Sequence, residues 1–112
     1  MILINKPWGM EEIIEKNKHY LLKKITMFKD HRCSLQYHNK KLETLFILSG
    51  ELKVFLQNTK IKKYYKLKKK DTLTIMPKSI HRMKAIKKCV YLECSTSHMT
   101  DVVRISDDYQ RK

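Results

Sequence analysis

Apolar residues in this 112-residue chain recur mostly at every second position, in short runs separated by lysine-, asparagine- and aspartate-containing pairs. That period puts alternate side chains on opposite faces of an extended strand, whereas a core-facing helix repeats at roughly every third or fourth residue. Residues 20–28 are rich in β-formers, 33–38 are short and extended, and 44–49 are apolar. In 51–57, Leu52, Val54 and Leu56 point one way and Lys53 and Phe55 the other. Gly50 lies between these last two segments and reads as a tight turn, because positive φ costs glycine little. Asn58-Thr59 ends the strand, 61–67 read as a polar hairpin arm, 72–76 alternate again, and 80–86 and 89–95 complete the set. Only 10–16 and 101–105 carry weak helical patterns. Leu35, Phe46, Leu48, Leu52, Val54, Leu73, Ile75, Val90 and Leu92 form the expected core. Many short strands at near-regular spacing predict an all-β sandwich or barrel.

Composition narrows the class. With 42% hydrophobic and 32% charged residues, the chain reads as one globular domain over 1–112, long enough for one core. No apolar run approaches the roughly 20 residues of a membrane span. The start, Met1-Ile2-Leu3-Ile4-Asn5-Lys6, lacks the basic opening and long apolar stretch of a secretory leader, so a cytoplasmic, intracellular protein is expected. Three cysteines, Cys33, Cys89 and Cys94, are odd in number and without CxxC spacing, which predicts free thiols.

The net charge of +14 would attract polyanions. Its lysines are scattered through every segment, with local runs at Lys60-Ile61-Lys62-Lys63 and Lys66-Leu67-Lys68-Lys69-Lys70, and no helical recognition element carries them. They read as solvation of strand edges and turns, which also blunts edge-to-edge aggregation. Nucleic acid is therefore not an expected partner.

Chemistry concentrates at four residues. Gln36 and His38 are two apart, so both project from one face of a strand. Glu43 follows after a short turn, and His81 comes just before a later strand. One amide, two imidazoles and one carboxylate make a mixed nitrogen and oxygen set. It suits a divalent metal such as zinc, manganese, cobalt, iron or nickel better than a soft thiolate site would.

The spacing resembles the first cupin motif, Gly-x5-His-x-His-x3or4-Glu-x6-Gly, with Gln36 at the first histidine, then His38, Glu43 and Gly50. Gln36 within Ser34-Leu35-Gln36-Tyr37-His38 is similar to the barrel domain of type II mannose-6-phosphate isomerases in particular. Counting back from His81 along the second cupin motif puts Lys70 and Lys78 at glycine positions and Met76 at the proline. Lysine at positive φ costs roughly 1 kcal/mol relative to glycine. Lys6-Pro7-Trp8-Gly9, the strand from Tyr20, Glu93-Cys94-Ser95-Thr96 and the segment from Asp101 to Arg111 also resemble that family, so the likeness covers essentially the whole chain. The nucleotidyltransferase domain that many type II enzymes carry is not in this sequence.

The resemblance implies a single-domain cupin, a double-stranded β-helix or jelly-roll barrel, that commonly pairs as a homodimer. It implies a metal held by Gln36, His38, Glu43 and His81, zinc first. It further implies a sugar-phosphate isomerase whose metal acts as a Lewis acid during proton transfer between C1 and C2. Arg104 is the candidate for the substrate's phosphate, against a salt bridge to Asp101, Asp107 or Asp108. Lys41 falls where the family usually has an arginine tied to isomerisation, so it joins Arg104 as a catalytic candidate, against an ordinary turn lysine. Lys24 and Arg82 are further substrate-binding candidates, although only one of Lys23 and Lys24 faces inward. His31 and Arg32 are placed near the mouth, Trp8 and Tyr37 pack in the core or close the barrel end, against stacking on a sugar face, and His19 and His98 are surface residues. The general base stays unnamed. The alternatives are a non-catalytic sugar-binding cupin, a partner of a separate sugar nucleotidyltransferase, and another cupin enzyme such as a sugar epimerase.

Overall fold

The computed structural model describes residues 2–111, and among them there are strands, turns and loops but no helix. The strands in chain order are β1 Ile2–Lys6, β2 Gly9–Lys16, β3 Leu21–Met27, β4 Leu35–Tyr37, β5 Glu43–Gln57, β6 Lys62–Lys68, β7 Thr72–Ile75, β8 Ile80–Ser95 and β9 Val103–Ser106. All pairings are antiparallel.

Two long strands, β5 and β8, pair along most of their length and join two layers. Where Glu43 to Phe46 pair with Leu92 to Ser95, β7 extends the sheet on one side and β3, β2 and β1 on the other. Where Leu52 to Gln57 pair with Ile80 to Ala85, the neighbours are β6 on one side and β4 with β9 on the other. The two layers close around a core that includes Leu21, Ile25, Met27, Leu45, Ile47, Leu52, Val54, Ile75 and Tyr91.

Gly50 marks the change of layer. It does not turn a hairpin, as its place between two apolar runs predicts, because β5 continues through it with register shifts between Ile47 and Leu52. Its φ is +82°, and a Cβ there would lie 2.0 Å from the Lys88 carbonyl oxygen of β8. Only glycine lets the two strands approach so closely. The irregularity also exchanges faces. Before it Leu45 and Ile47 are buried, and after it Leu52, Val54 and Leu56 are. Phe46 and Leu48, expected in the core by continuing the later alternation backwards, are half-buried instead.

In β8 the expected pair 80–86 and 89–95 is one strand. Its inward row is His81, Met83, Ala85, Cys89, Tyr91, Glu93 and Ser95, so Val90 and Leu92 are half-buried on the other face. Leu35 and Leu73 are likewise half-buried. The helical patterns at 10–16 and 101–105 fail because β2 bonds to β1 and β3, and β9 to β4. Tertiary pairing overrides a weak local period. All three cysteines are free, as expected.

Candidate metal centre

The ligand candidates sit at the ends of strands, where turns aim them inward. Lys70 and Lys78, at the motif's glycine positions, do adopt the left-handed conformation, with φ of 74° and 67°. From that turn the Lys78 amide donates to the His38 carbonyl oxygen at 2.6 Å, tying the approach to β8 to the end of β4. The β4–β5 loop is held by Asp101, whose carboxylate accepts from the amides of Asn39 (3.1 Å), Lys40 (2.7 Å) and Lys41 (3.1 Å). Those amides, Lys40 first, hold Asp101 below its ordinary pKa.

His38, Glu43 and His81 are buried, and one donor atom from each lies within 4.8 Å of the others. The imidazoles stand 5.2 Å apart between ring centres. His38 Nδ1 bonds to the Asp101 carbonyl oxygen, and His81 Nδ1 to that of Ser79 at 2.9 Å. A carbonyl oxygen only accepts, so each Nδ1 carries the proton and each Nε2 presents a lone pair to the centre. Burial, opposed by the bond to Asp101 and by Glu43, lowers the His38 pKa and favours the neutral, ligating form.

Burial pushes Glu43 up, but its neighbours His81 and Lys41 outweigh this and bring it to about 2. It is an ionised carboxylate, 3.3 Å from both His81 Nε2 and Lys41 Nζ. Both His38 Nε2 and His81 Nε2 are buried and lack a well-formed hydrogen bond among the described residues, as do both Glu43 oxygens. Orphaned inward donors of this kind fit a divalent cation. Gln36 lies on the same cavity wall. Its Oε1 accepts from Ser34 Oγ at 2.6 Å and keeps a second lone pair.

A cavity of about 160 Å³ opens beside the cluster. Its polar wall is a chain of alternating charge. Glu11 pairs with Lys23 at 3.2 Å, Lys23 faces Glu93 across β3 and β8, Glu93 pairs with Lys41 at 3.0 Å, and Lys41 reaches Glu43. Burial would lower Lys41, but Glu93 and Glu43 outweigh it and raise its pKa. Burial raises Glu93, and the Glu43 charge adds to this against Lys41 and Lys23. Lys41 is thus no turn lysine. Arg104 lines the cavity with Lys6 and Arg111, while Trp8 and Tyr91 supply apolar wall. Nearby, Asp101 holds the loop, Asp107 pairs with Arg111 and Asp108 with Arg32.

Two expected substrate residues point the wrong way. Lys23 takes the inward place in β3, in line with Leu21, Ile25 and Met27, so Lys24 lies half-buried on the opposite face. Arg82 follows inward His81 and therefore faces outward, where it donates to the carbonyl oxygens of Cys33 (2.9 Å) and Ser106 (3.1 Å). Arg32 is outside too, paired with Asp108. His31 and His19 are exposed, and His98 is half-buried against Thr96. Glu93 was missed as a site residue. An acid in the alternation Cys89, Tyr91, Glu93 was the available signal.

Residues 2–107 match the family described as mannose-6-phosphate isomerase C-terminal. The chain belongs to this family. Over 78 residues it is 30% identical to mannose-1-phosphate guanylyltransferase RfbM of Salmonella typhimurium, covering 70% of this chain and 15% of that protein. It therefore spans about 15% of the length of this curated relative. Among solved structures, KdgF from Halomonas superposes with a TM-score of 0.77 at 10% identity, over 88% of this chain and 89% of that one. Bacillus subtilis oxalate decarboxylase, described with Mn(II) centres, gives 0.81 at 14% identity over 94% and 30%. These likenesses establish the cupin fold. No helix long and apolar enough to cross a membrane occurs among the described residues.

Proposed function

We propose that this cupin is a metal-dependent isomerase of phosphorylated sugars, of the type interconverting mannose 6-phosphate and fructose 6-phosphate. The observation that carries the reading is the buried His38, Glu43 and His81 cluster opening on a cavity rimmed by Arg104, Arg111 and Lys6. His38, Glu43 and His81, with Gln36, would hold the ion. Zinc is the first expectation, and manganese is supported by the oxalate decarboxylase likeness. An ion held there would supply Lewis-acid polarisation of the sugar's oxygens. Arg104 offers a guanidinium fork to the phosphate. Trp8, Ile25 and Tyr91 exclude water from the reacting carbons, and the Lys41 ammonium adds positive charge where negative charge develops on oxygen.

The test is a coupled assay of mannose 6-phosphate conversion on protein stripped and reloaded with zinc, manganese or cobalt. His81→Ala is expected to lose bound metal and to lose more turnover than the roughly 10- to 100-fold that removing a residue which merely orients a ligand costs. Full activity in that variant sinks the scheme.

A second reading is a sugar-binding cupin that partners a separate nucleotidyltransferase. It is favoured by the guanylyltransferase relative and by a lysine, engaged by two carboxylates, where the isomerases usually carry arginine. Co-purification of such a transferase, with no turnover by any loaded form, would support it.

A further inference from the structure

Isomerisation needs a group that takes a proton from one sugar carbon and returns it to the next. That group must face the substrate cavity, lie near the metal cluster and be left over once the ligands are assigned. Among the described residues, the carboxylates lining the cavity are Glu11, Glu43 and Glu93. Glu43 belongs to the ligand cluster. Glu11 is tied to Lys23 at the far end of the charged chain. Lys41 and Lys23 each donate to a carboxylate and have no lone pair to offer as ammonium groups. His38 and His81 turn their lone pairs toward the ligand cluster.

Glu93 remains. It is 5% exposed, projects inward from β8, and is separated from the Glu43 ligand by the Lys41 ammonium, which touches both carboxylates at 3.0 and 3.3 Å. Resting on the isomerase reading, we propose that Glu93 is the acid and base of the reaction and that Lys41 is the positioning residue that holds it beside the metal cluster. Burial also raises its proton affinity, the direction that favours accepting a proton from carbon.

The step balances without an oxidant or reductant. The Glu93 carboxylate takes the C2 hydrogen of the open-chain aldose phosphate as a proton. The C–H electron pair becomes the C1–C2 double bond, and the carbonyl pair moves onto O1 to give an enediolate. The O2 proton passes to O1. The O2 pair then forms the ketone, the C1–C2 double-bond pair takes the proton back from Glu93 at C1, and the carboxylate is restored.

The experiment compares wild type, Glu93→Gln and Glu93→Asp as full chains loaded with zinc or manganese. Turnover is measured together with metal content and calorimetric binding of glucitol 6-phosphate, an open-chain analogue that cannot isomerise. Glu93→Gln is expected to keep its metal and to bind glucitol 6-phosphate within about twofold. Its kcat should fall by roughly 10²- to 10⁴-fold, the usual contribution of a positioned acid or base. Solvent deuterium should no longer enter C2 of recovered aldose. Glu93→Asp should recover part of the rate, with the acid limb of its pH profile displaced. Turnover within tenfold of wild type in Glu93→Gln, loss of metal or analogue binding in parallel with the rate, or an acid limb unmoved in Glu93→Asp would each overturn the assignment. An inactive wild type that is loaded and folded overturns the isomerase reading itself, and this assignment with it. An active wild type beside an active Glu93→Gln overturns the assignment alone.

Discussion

The inside and the outside of the barrel handle lysine differently. Inside, Lys23 and Lys41 are 7% and 5% exposed, and each is matched to buried carboxylates at 3.0–3.3 Å. Outside, Lys53 lies directly opposite both Lys66 and Lys84. That arrangement of like charges is tolerated because water screens it and Lys53 Nζ rests 4.4 Å from the centre of the Tyr64 ring. The same residue type is therefore a solvated surface group on one face and part of a fixed charge pattern on the other. Desolvation makes the difference: a buried charge without a partner is costly, whereas an exposed one loses little when its partner goes.

The sharpest attack on this comparison is Lys41→Met. It leaves Glu43 and Glu93 buried without the cation they share, and metal-free protein should lose about 3–5 kcal/mol of unfolding free energy in urea titrations. A loss below about 1 kcal/mol, the range of exposed pairs, would erase the distinction between the faces.

Asp107 gives an intermediate case, on the segment after β9. Its side chain is 2% exposed and accepts from the Arg111 amide and guanidinium at 2.7–3.1 Å. The Arg111 hydrogen bonds bring its pKa from an ordinary 3.8 to about 2 against the opposing effect of burial. Because the folded value is depressed, the stabilisation is fully present above the unfolded value near 3.8 and is lost as pH falls through about 2. Asp107→Asn should cost about 2 kcal/mol at pH 6, and the gap in melting temperature to wild type should close as pH falls from 5 to 2.

The smallest effect is expected outside. Arg32 and Asp108 form a two-pronged pair at 2.7 and 2.8 Å, but both side chains are about 40% exposed. Arg32→Ala should cost less than about 1 kcal/mol, and less still in high salt. A salt-insensitive loss above 2 kcal/mol would mean that the outer face is organised as tightly as the inner one.

The convergence of His38, Glu43 and His81 was legible because metal chemistry needs particular donor atoms at a particular spacing, and these residues carry both in the sequence. The left-handed turns at Lys70 and Lys78 were legible for the same reason, since backbone geometry at a motif position survives replacement of its glycine. Lys24 and Arg82 were misplaced because spacing within one strand says which residues share a face but not which face is inside.

Sequence alone determined the strand content and the residue types that the site brings together. Both follow from local alternation and residue chemistry. Tertiary structure decided which way β5 faces on each side of Gly50 and that Lys23 rather than Lys24 enters the barrel. It also decided that Glu93 stands one ammonium away from Glu43, fifty residues earlier in the chain, with Lys41 and Glu93 52 positions apart. The physical reason is that face and partner depend on register, and register is fixed only when distant strands close around the core.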